Sequence, residues 1–376
     1  MSGPVGVGVI GAGVISDTYL ENLRSFPDVT VVIVGDLIEE RAKSQAEKHG
    51  VPAWGSAADV LGHADVQVVV NLTIPAAHIE VSSAAIAAGK HVWSEKPLGL
   101  DRVGAAQLLT DAAARGLRVG SAPDTILGPG FQTAKRAIQE GLIGEPMFAT
   151  TTFQTIGPDL WHPSPEFLFA EGAGPLLDMG PYYISGLVSL FGPVDRVAAL
   201  GRKKAERRVI HAGPDAGKTF PVEVPTSLQL LTSFAAGQQA ASLLSFDSAL
   251  ERHGVFEVHG SEGSLIVPDP NQFEGRIAYL TARTSLADGD WGEQEWTELE
   301  QKGTVVGRGL GLLDMVRAIS EGRPHVATGE LGYHVLDVML SAQESVASGE
   351  FVAIGSSLAA PVPPVPVDFD PFARTL

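Results

Sequence analysis

Apolar and polar positions divide the chain into two stretches with different rhythms. From residue 4 to about 122, short apolar runs alternate with amphipathic segments. The runs are PVGVGVI (4–10), VTVVIVG (29–35), VQVVVNL (66–72), KHVWS (90–94) and LRVGS (117–121). Continuous valine and isoleucine predict strands buried on both faces. Helical periodicity fills the gaps near 14–25, 38–49, 75–88 and 101–115. Strands alternating with helices predict a parallel, doubly wound sheet. After 123 come a turn-rich start, one helix, and longer β runs at 146–156, 194–200, 226–235, 239–247, 254–260 and 263–267. An apolar helix near 174–191 interrupts them, and two more are expected at about 310–321 and 330–348. This order predicts an α+β arrangement: a large, mostly antiparallel open sheet with helices on one face. The tail carries five prolines in LAAPVPPVPVDFDPF and reads as an extended surface arm. The expected division is 1–123, 124–355 and the arm 356–376.

Composition narrows the function. The chain has 376 residues, enough for two cores, and a net charge of −18. Such a surface opposes binding to nucleic acid or anionic membranes, which reward lysine and arginine. There is no cysteine, so a thiolate nucleophile, a thiolate metal site and a disulfide framework are excluded. The ten histidines show no metal-ligand spacing, and no metal is expected. No apolar run approaches the roughly 18 residues that span a bilayer. The start, MSGPVGVGVIGAG, lacks a basic segment ahead of an apolar one and reads as a strand and turn. A cytoplasmic location is expected.

The first strand runs into Gly11-Ala12-Gly13-Val14-Ile15-Ser16, which opens a helix. This approximates the dinucleotide fingerprint of a Rossmann domain, giving an α/β class for the N-terminal domain. Gly11 permits the tight turn. Gly13 lets the backbone approach a pyrophosphate, which the helix N-terminus attracts near Val14 and Ile15. Ser16 replaces the third glycine. Asp36 closes the second strand, 23 residues after Gly13. A carboxylate there accepts hydrogen bonds from ribose hydroxyls and repels a 2′-phosphate, favouring NAD over NADP. Its alternative role is a helix cap. Thr73, Pro75 and His78 follow the VQVVVNL run, where ligands sit in such sheets. Glu95 and Lys96 end KHVWS in the same way.

The combination of VGVIGAGVIS, Asp36, TIPAAH and WSEKPLG resembles the glucose–fructose oxidoreductase/inositol dehydrogenase (Gfo/Idh/MocA) family. The resemblance covers nearly the whole chain. It implies a Rossmann domain followed by a domain whose open sheet makes oligomer contacts, hence a homodimer or homotetramer. It places Lys96 beside the nicotinamide and the reacting hydroxyl; Glu95 would orient Lys96 or a neighbouring loop. The second family signature, a glycine-rich run, then Asp, then commonly His four residues on, reads here Gly172 to Tyr183. Asp178 matches; Tyr182 stands in the histidine position. Pro181 between them implies either a kinked helix or one that starts there with Asp178 capping it. Lys96 with Tyr182 could move the hydroxyl proton, and Asp178 could orient Lys96 or bind a substrate hydroxyl. Trp161 and His162, in the proline-rich loop 157–165, offer a stacking face and a reserve base; loop packing is their plain alternative. Asp124, at the crossover between domains, is expected to touch substrate.

The activity expected is NAD-dependent oxidation of a ring hydroxyl on a sugar, glycoside or cyclitol. The rivals are an NADPH-dependent keto-sugar reductase, a redox-neutral NAD-dependent bond-cleaving enzyme and a non-catalytic NAD-binding regulator.

Overall fold

The computed structural model describes residues 3–283 and 294–376. Two compact units emerge from Cα packing. The first comprises Met1–Gly128, Gly303–Leu336 and Val362–Leu376; the second comprises Pro129–Lys302 and Asp337–Pro361.

In the first unit the strands are β1 (Val5–Ile10), β2 (Val29–Gly35), β3 (Ala53–Gly55), β4 (Val68–Asn71), β5 (His91–Ser94) and β6 (Val119–Ser121). Among the described residues they form a parallel six-stranded sheet in the order β3-β2-β1-β4-β5-β6. Every residue of β1 and β4 is buried. The helices are α1 (Val14–Ser25), α2 (Glu39–His49), α3 (Ala57–Gly62), α4 (His78–Ala87) and α5 (Arg102–Ala114). Strand order reverses between β1 and β4. In open sheets the carboxyl ends at such a reversal form the ligand crevice.

Sequence rhythm anticipates these elements except β3 and α3. β3 is a three-residue edge strand, too short to show a period. α3 is opened by Ser56, whose side chain and that of Asp59 cap each other's backbone. Boundaries drawn along the chain also miss how later segments return to this unit. Arg317 donates through Nε to the buried Asp28 at 2.8 Å, and its Nη atoms donate to the carbonyls of Asp370 and Ala373. The proline-rich arm is thus extended but tied down, with Val362 and Val365 buried.

In the second unit α6 (Pro129–Gln139) precedes β7 (Pro146–Gln154), and α7 (Gly174–Phe191) follows. Then come β8 (Val194–Arg202), the pair β9 (Arg207–Val209) and β10 (Thr219–Pro221), β11 (Ser227–Phe234), β12 (Gln239–Ser245), β13 (Arg252–Gly260) and β14 (Gly263–Ile266). β15 (Ala278–Thr281), β16 (Thr297–Glu298) and β17 (Val352–Ala353) extend the edges. Between the last two strands in sequence come helix α8 (Leu310–Glu321), in the first unit, and α9 (Gly329–Ser348), which begins in the first unit and ends in the second. The described sheet has nine strands, order β16-β15-β14-β13-β7-β12-β11-β8-β17, antiparallel except where β12 meets β7. α7 packs on one face. The other face carries the cross-strand row Ala198, Leu231, Ala241 and Thr150. Leu200 and Leu231 stand largely exposed on it, at 73% and 57%.

Candidate active site

The turn after β1 is built for a tight approach. Gly11 has φ +107°, and a Cβ there would stand 2.6 Å from the carbonyl of Leu72. Gly13 is the N-cap of α1 and supplies no side-chain cap, so first-turn amides keep donors for an anion. A Cβ on Gly13 would meet no protein atom within 4 Å. Its small size therefore answers to nothing inside the chain, as expected where a ligand lies against the backbone. Val14 is 92% exposed and Ile15 half-buried. Ser16 is buried and donates to the Gly13 carbonyl at 2.6 Å, closing the turn where a third glycine is usual.

Asp36 joins this turn to the end of β2. Its Oδ2 accepts from Ala12 N at 2.7 Å and its Oδ1 from Ile38 N at 2.9 Å. The carboxylate is half-buried, and each oxygen has a second lone pair for a hydroxyl. Leu37 beyond it is 99% exposed, and Arg41 faces solvent on α2.

The ends of β4 and β5 are tied together. Asn71, buried at the end of β4, donates to His78 O and Ser82 Oγ, both at 3.0 Å. Its Oδ1 accepts from Thr73 N and Oγ1. Pro75 opens the short 3-10 turn ahead of α4. His78 is buried between two carbonyls, Pro97 O at 2.7 Å and Thr73 O at 3.0 Å. Burial lowers its pKa. Both ring nitrogens face carbonyl oxygens, which only accept, so each contact is a hydrogen bond when that nitrogen carries a proton. The side chain thus pins the Glu-Lys-Pro loop to the β4 loop, which is the plain packing role. Glu95 is buried and accepts from Tyr19 Oη at 2.8 Å and from Lys96 N at 3.1 Å. Lys96 is half-buried and precedes a cis proline.

In the second unit α7 runs from Gly174 through Pro181 to Phe191. Asp178 is the fifth helical residue, so the capping alternative for it is corrected: the first turn lies ahead of it. Four-residue spacing puts Asp178 and Tyr182 on one face of the helix. Pro181 has no N–H, so the Leu177 carbonyl forgoes its helical partner. Asp178 is half-buried and Tyr182 nearly buried.

Residues 5–122 match the oxidoreductase family, NAD-binding Rossmann fold, and residues 131–266 match the GFO/IDH/MocA C-terminal domain. The chain belongs to the Gfo/Idh/MocA family. A trans-1,2-dihydrobenzene-1,2-diol dehydrogenase of Macaca fuscata fuscata is 29% identical over 203 residues, 52% of this chain and 59% of that protein. Inositol 2-dehydrogenase 3 of Saccharopolyspora erythraea is 35% identical over 147 residues, 39% of this chain and 44% of that one. The chain thus spans less than two thirds of the length of these relatives. A levoglucosan dehydrogenase solved in complex with NADH and L-sorbose aligns over 94% of this chain and 99% of its own, with TM-score 0.81 and 21% identity. At that identity the likeness speaks to the fold.

Two site expectations, Asp124 from the family resemblance and His162 from its loop, meet a different geometry. Asp124, expected at substrate, is fully buried. Its Oδ2 accepts from Gly309 N at 2.8 Å and Gly311 N at 3.1 Å, serving the start of α8. Burial raises its pKa, and the nearby Arg308 opposes that. Its carboxylate therefore serves the fold rather than an open surface. His162 lies edge-on to Trp161, with ring centroids 5.5 Å apart, and to Phe167 at 5.3 Å. Its Nδ1 accepts from Ser164 N at 3.0 Å, so the lone pair a neutral base would use is engaged. Trp161 is 67% exposed and keeps a stacking face. The loop beneath is held by Arg208, which bridges Asp159 and Asp247.

Tyr19 lies outside the quoted motifs, and Trp93 enters them only as the first letter of WSEKPLG. Tyr19 sits three residues past Ser16 on α1, facing inward, where an aromatic is indistinguishable from core.

Proposed function

We propose that the protein is an NAD-dependent dehydrogenase that oxidises a ring hydroxyl of a sugar, glycoside or cyclitol. The observation that carries this reading is the cradle at the strand reversal. An open-sided Gly13 and a capless helix start lie on the turn after β1, and Asp36, just past β2, accepts from that turn. Two strands away in the same sheet, β5 runs into Glu95-Lys96. The residues that fit a dinucleotide are Gly11, Gly13, Val14 and Ile15 at the phosphates and Asp36 at the adenosine ribose. Thr73 and Pro75 belong to the adjoining β4 loop.

When bound, the nicotinamide supplies hydride acceptance. The chain must supply the rest. Lys96 is assigned to the substrate hydroxyl, where an ammonium stabilises developing alkoxide and a neutral amine takes the proton. Asp178 and Tyr182 are assigned to substrate hydroxyls or to relaying that proton, and Trp161 to stacking on the apolar face of a ring. The exposed apolar row on the second unit's sheet is assigned to a second copy of the chain, as a homodimer or homotetramer.

The test is formation of reduced nicotinamide by purified protein, with NAD and NADP separately, across inositols, sugars, glycosides, levoglucosan and trans-diols. Lys96→Ala runs alongside and is expected to lose about a hundredfold or more. Preference for NADP would overturn the role given to Asp36. Cofactor binding with no net reduction, but with cleavage of a glycosidic bond, would replace this reading by the redox-neutral one.

A further inference from the structure

Glu95 is gripped from two sides, and one grip comes from α1. Tyr19 Oη donates to Oε1 at 2.8 Å, while the Lys96 amide donates to Oε2 at 3.1 Å. The Tyr19 oxygen itself accepts from Trp93 Nε1 at 3.2 Å. An indole N–H can only donate, so the Tyr19 proton is directed to Glu95. Trp93 has no freedom to turn away. A Cβ built on Gly120 would lie 2.5 Å from its ring, and one built on Gly311 would lie 2.1 Å from it. Tyr19 and Trp93 are wholly buried and Glu95 nearly so. Burial, reinforced by Glu95 and Asp124, raises the Tyr19 pKa well above the usual phenol range, so the hydroxyl stays a donor.

A tyrosine serving only as core would need no such chain of donors; phenylalanine would fill the same space. The hydroxyl instead connects α1, whose first turn cradles the cofactor, to the residue before Lys96. We propose that Tyr19 is a positioning residue for the reaction: through Glu95 it fixes the main chain of Lys96, and so the origin of the lysine side chain relative to the phosphate-binding turn. This rests on the assignment of Lys96 to proton transfer.

The test compares wild type with Tyr19→Phe, both with NAD added and labelled with ¹⁵N-lysine. The Lys96 amide is identified by its loss in Lys96→Arg. Its hydrogen exchange is expected to rise about tenfold in Tyr19→Phe. The Lys90 amide, bonded to Ala85 O, is the control and should not change. With a substrate from the panel, kcat should fall roughly ten- to hundredfold while KM for NAD stays within about twofold. Glu95→Gln should copy this pattern. Unchanged exchange at Lys96, or Lys90 and Lys96 rising together, overturns the proposal. Activity lost in Lys96→Ala but normal in Tyr19→Phe overturns it too and leaves the role of Lys96 standing. Normal activity in Lys96→Ala overturns both.

Discussion

Two glycines a residue apart should fail in opposite ways. Gly11 has φ +107°, where an L-residue costs about 1–3 kcal/mol. Its Cβ would also stand 2.6 Å from Leu72 C and O and 2.9 Å from Thr73 N. Those are backbone atoms, so no rotamer change relieves the overlap. Gly11→Ala should therefore cost about 2–4 kcal/mol in total, combining strain and overlap. For a unit of this size that lowers the unfolding midpoint by about 5–15 °C. Gly13 has φ −78° and an open side. Gly13→Ala should cost only about 0.5–1 kcal/mol without ligand, the margin by which glycine is the better N-cap of the two. Its new methyl group instead points into the space assigned to pyrophosphate. The dissociation constant for NADH should rise about ten- to hundredfold, equivalent to about 1.4–2.8 kcal/mol. Circular-dichroism melting with and without NADH, plus a fluorescence titration, measures both. Gly13→Ala would lower the unliganded midpoint by less than Gly11→Ala does and lose most of the ligand-induced rise. Wild-type NADH affinity in Gly13→Ala would refute the cradle, and an unshifted midpoint in Gly11→Ala would refute the backbone argument.

Asp36→Ser should weaken NADH binding about tenfold and raise the ratio of NADP to NAD use, read as kcat/KM with each cofactor; an unchanged ratio removes Asp36 from cofactor choice. His325 gives a pH prediction. Burial, then the charge of Arg118, lowers its pKa to about 3 in the folded protein, against about 6.5 in an unfolded chain. The neutral ring is the folded form, so its contribution to stability is complete above about pH 6.5 and is lost as pH falls toward 3. The slope in that window is about 1.4 kcal/mol per pH unit. Urea unfolding at about pH 7.5 and pH 5 should show His325→Leu losing less stability than wild type between the two, and equal losses would contradict it.

Much of the fold was written in periodicity because each element buries a whole face. β1 and β4 are continuous apolar runs since helices cover both sides of their sheet. β7 and β11 alternate because only one side of theirs is covered by helix. What periodicity could not carry was short or long-range. β3 has three residues, and the β9–β10 pair matters through Arg208, whose partners Asp159 and Asp247 lie 49 and 39 positions away. The return of Gly303–Leu336 to the first unit likewise depends on Asp28 meeting Arg317, 289 positions on. No local pattern signals such a pairing.

The candidate site was legible where chemistry is local in sequence and obscure where it is relayed. A glycine turn must be contiguous, so Gly11, Gly13 and Ser16 could be read directly, and Glu95-Lys96 could be read from its place at a strand end. Asp124's neighbours in sequence point to a crossover, while its hydrogen-bond partners, the amides of Gly309 and Gly311, lie 185 and 187 positions away. A buried carboxylate goes where donors are, and here the donors are the start of α8. Tyr19 was hidden for the converse reason. Its spacing on α1 satisfies the core, so nothing in the pattern asks for a hydroxyl. Only the position of Glu95 and Trp93 around it distinguishes a tyrosine that fills space from one that holds a carboxylate. The two roles separate in Tyr19→Phe, which keeps the ring and removes one oxygen. An effect confined to the Lys96 amide would belong to that oxygen, because the packing is otherwise conserved.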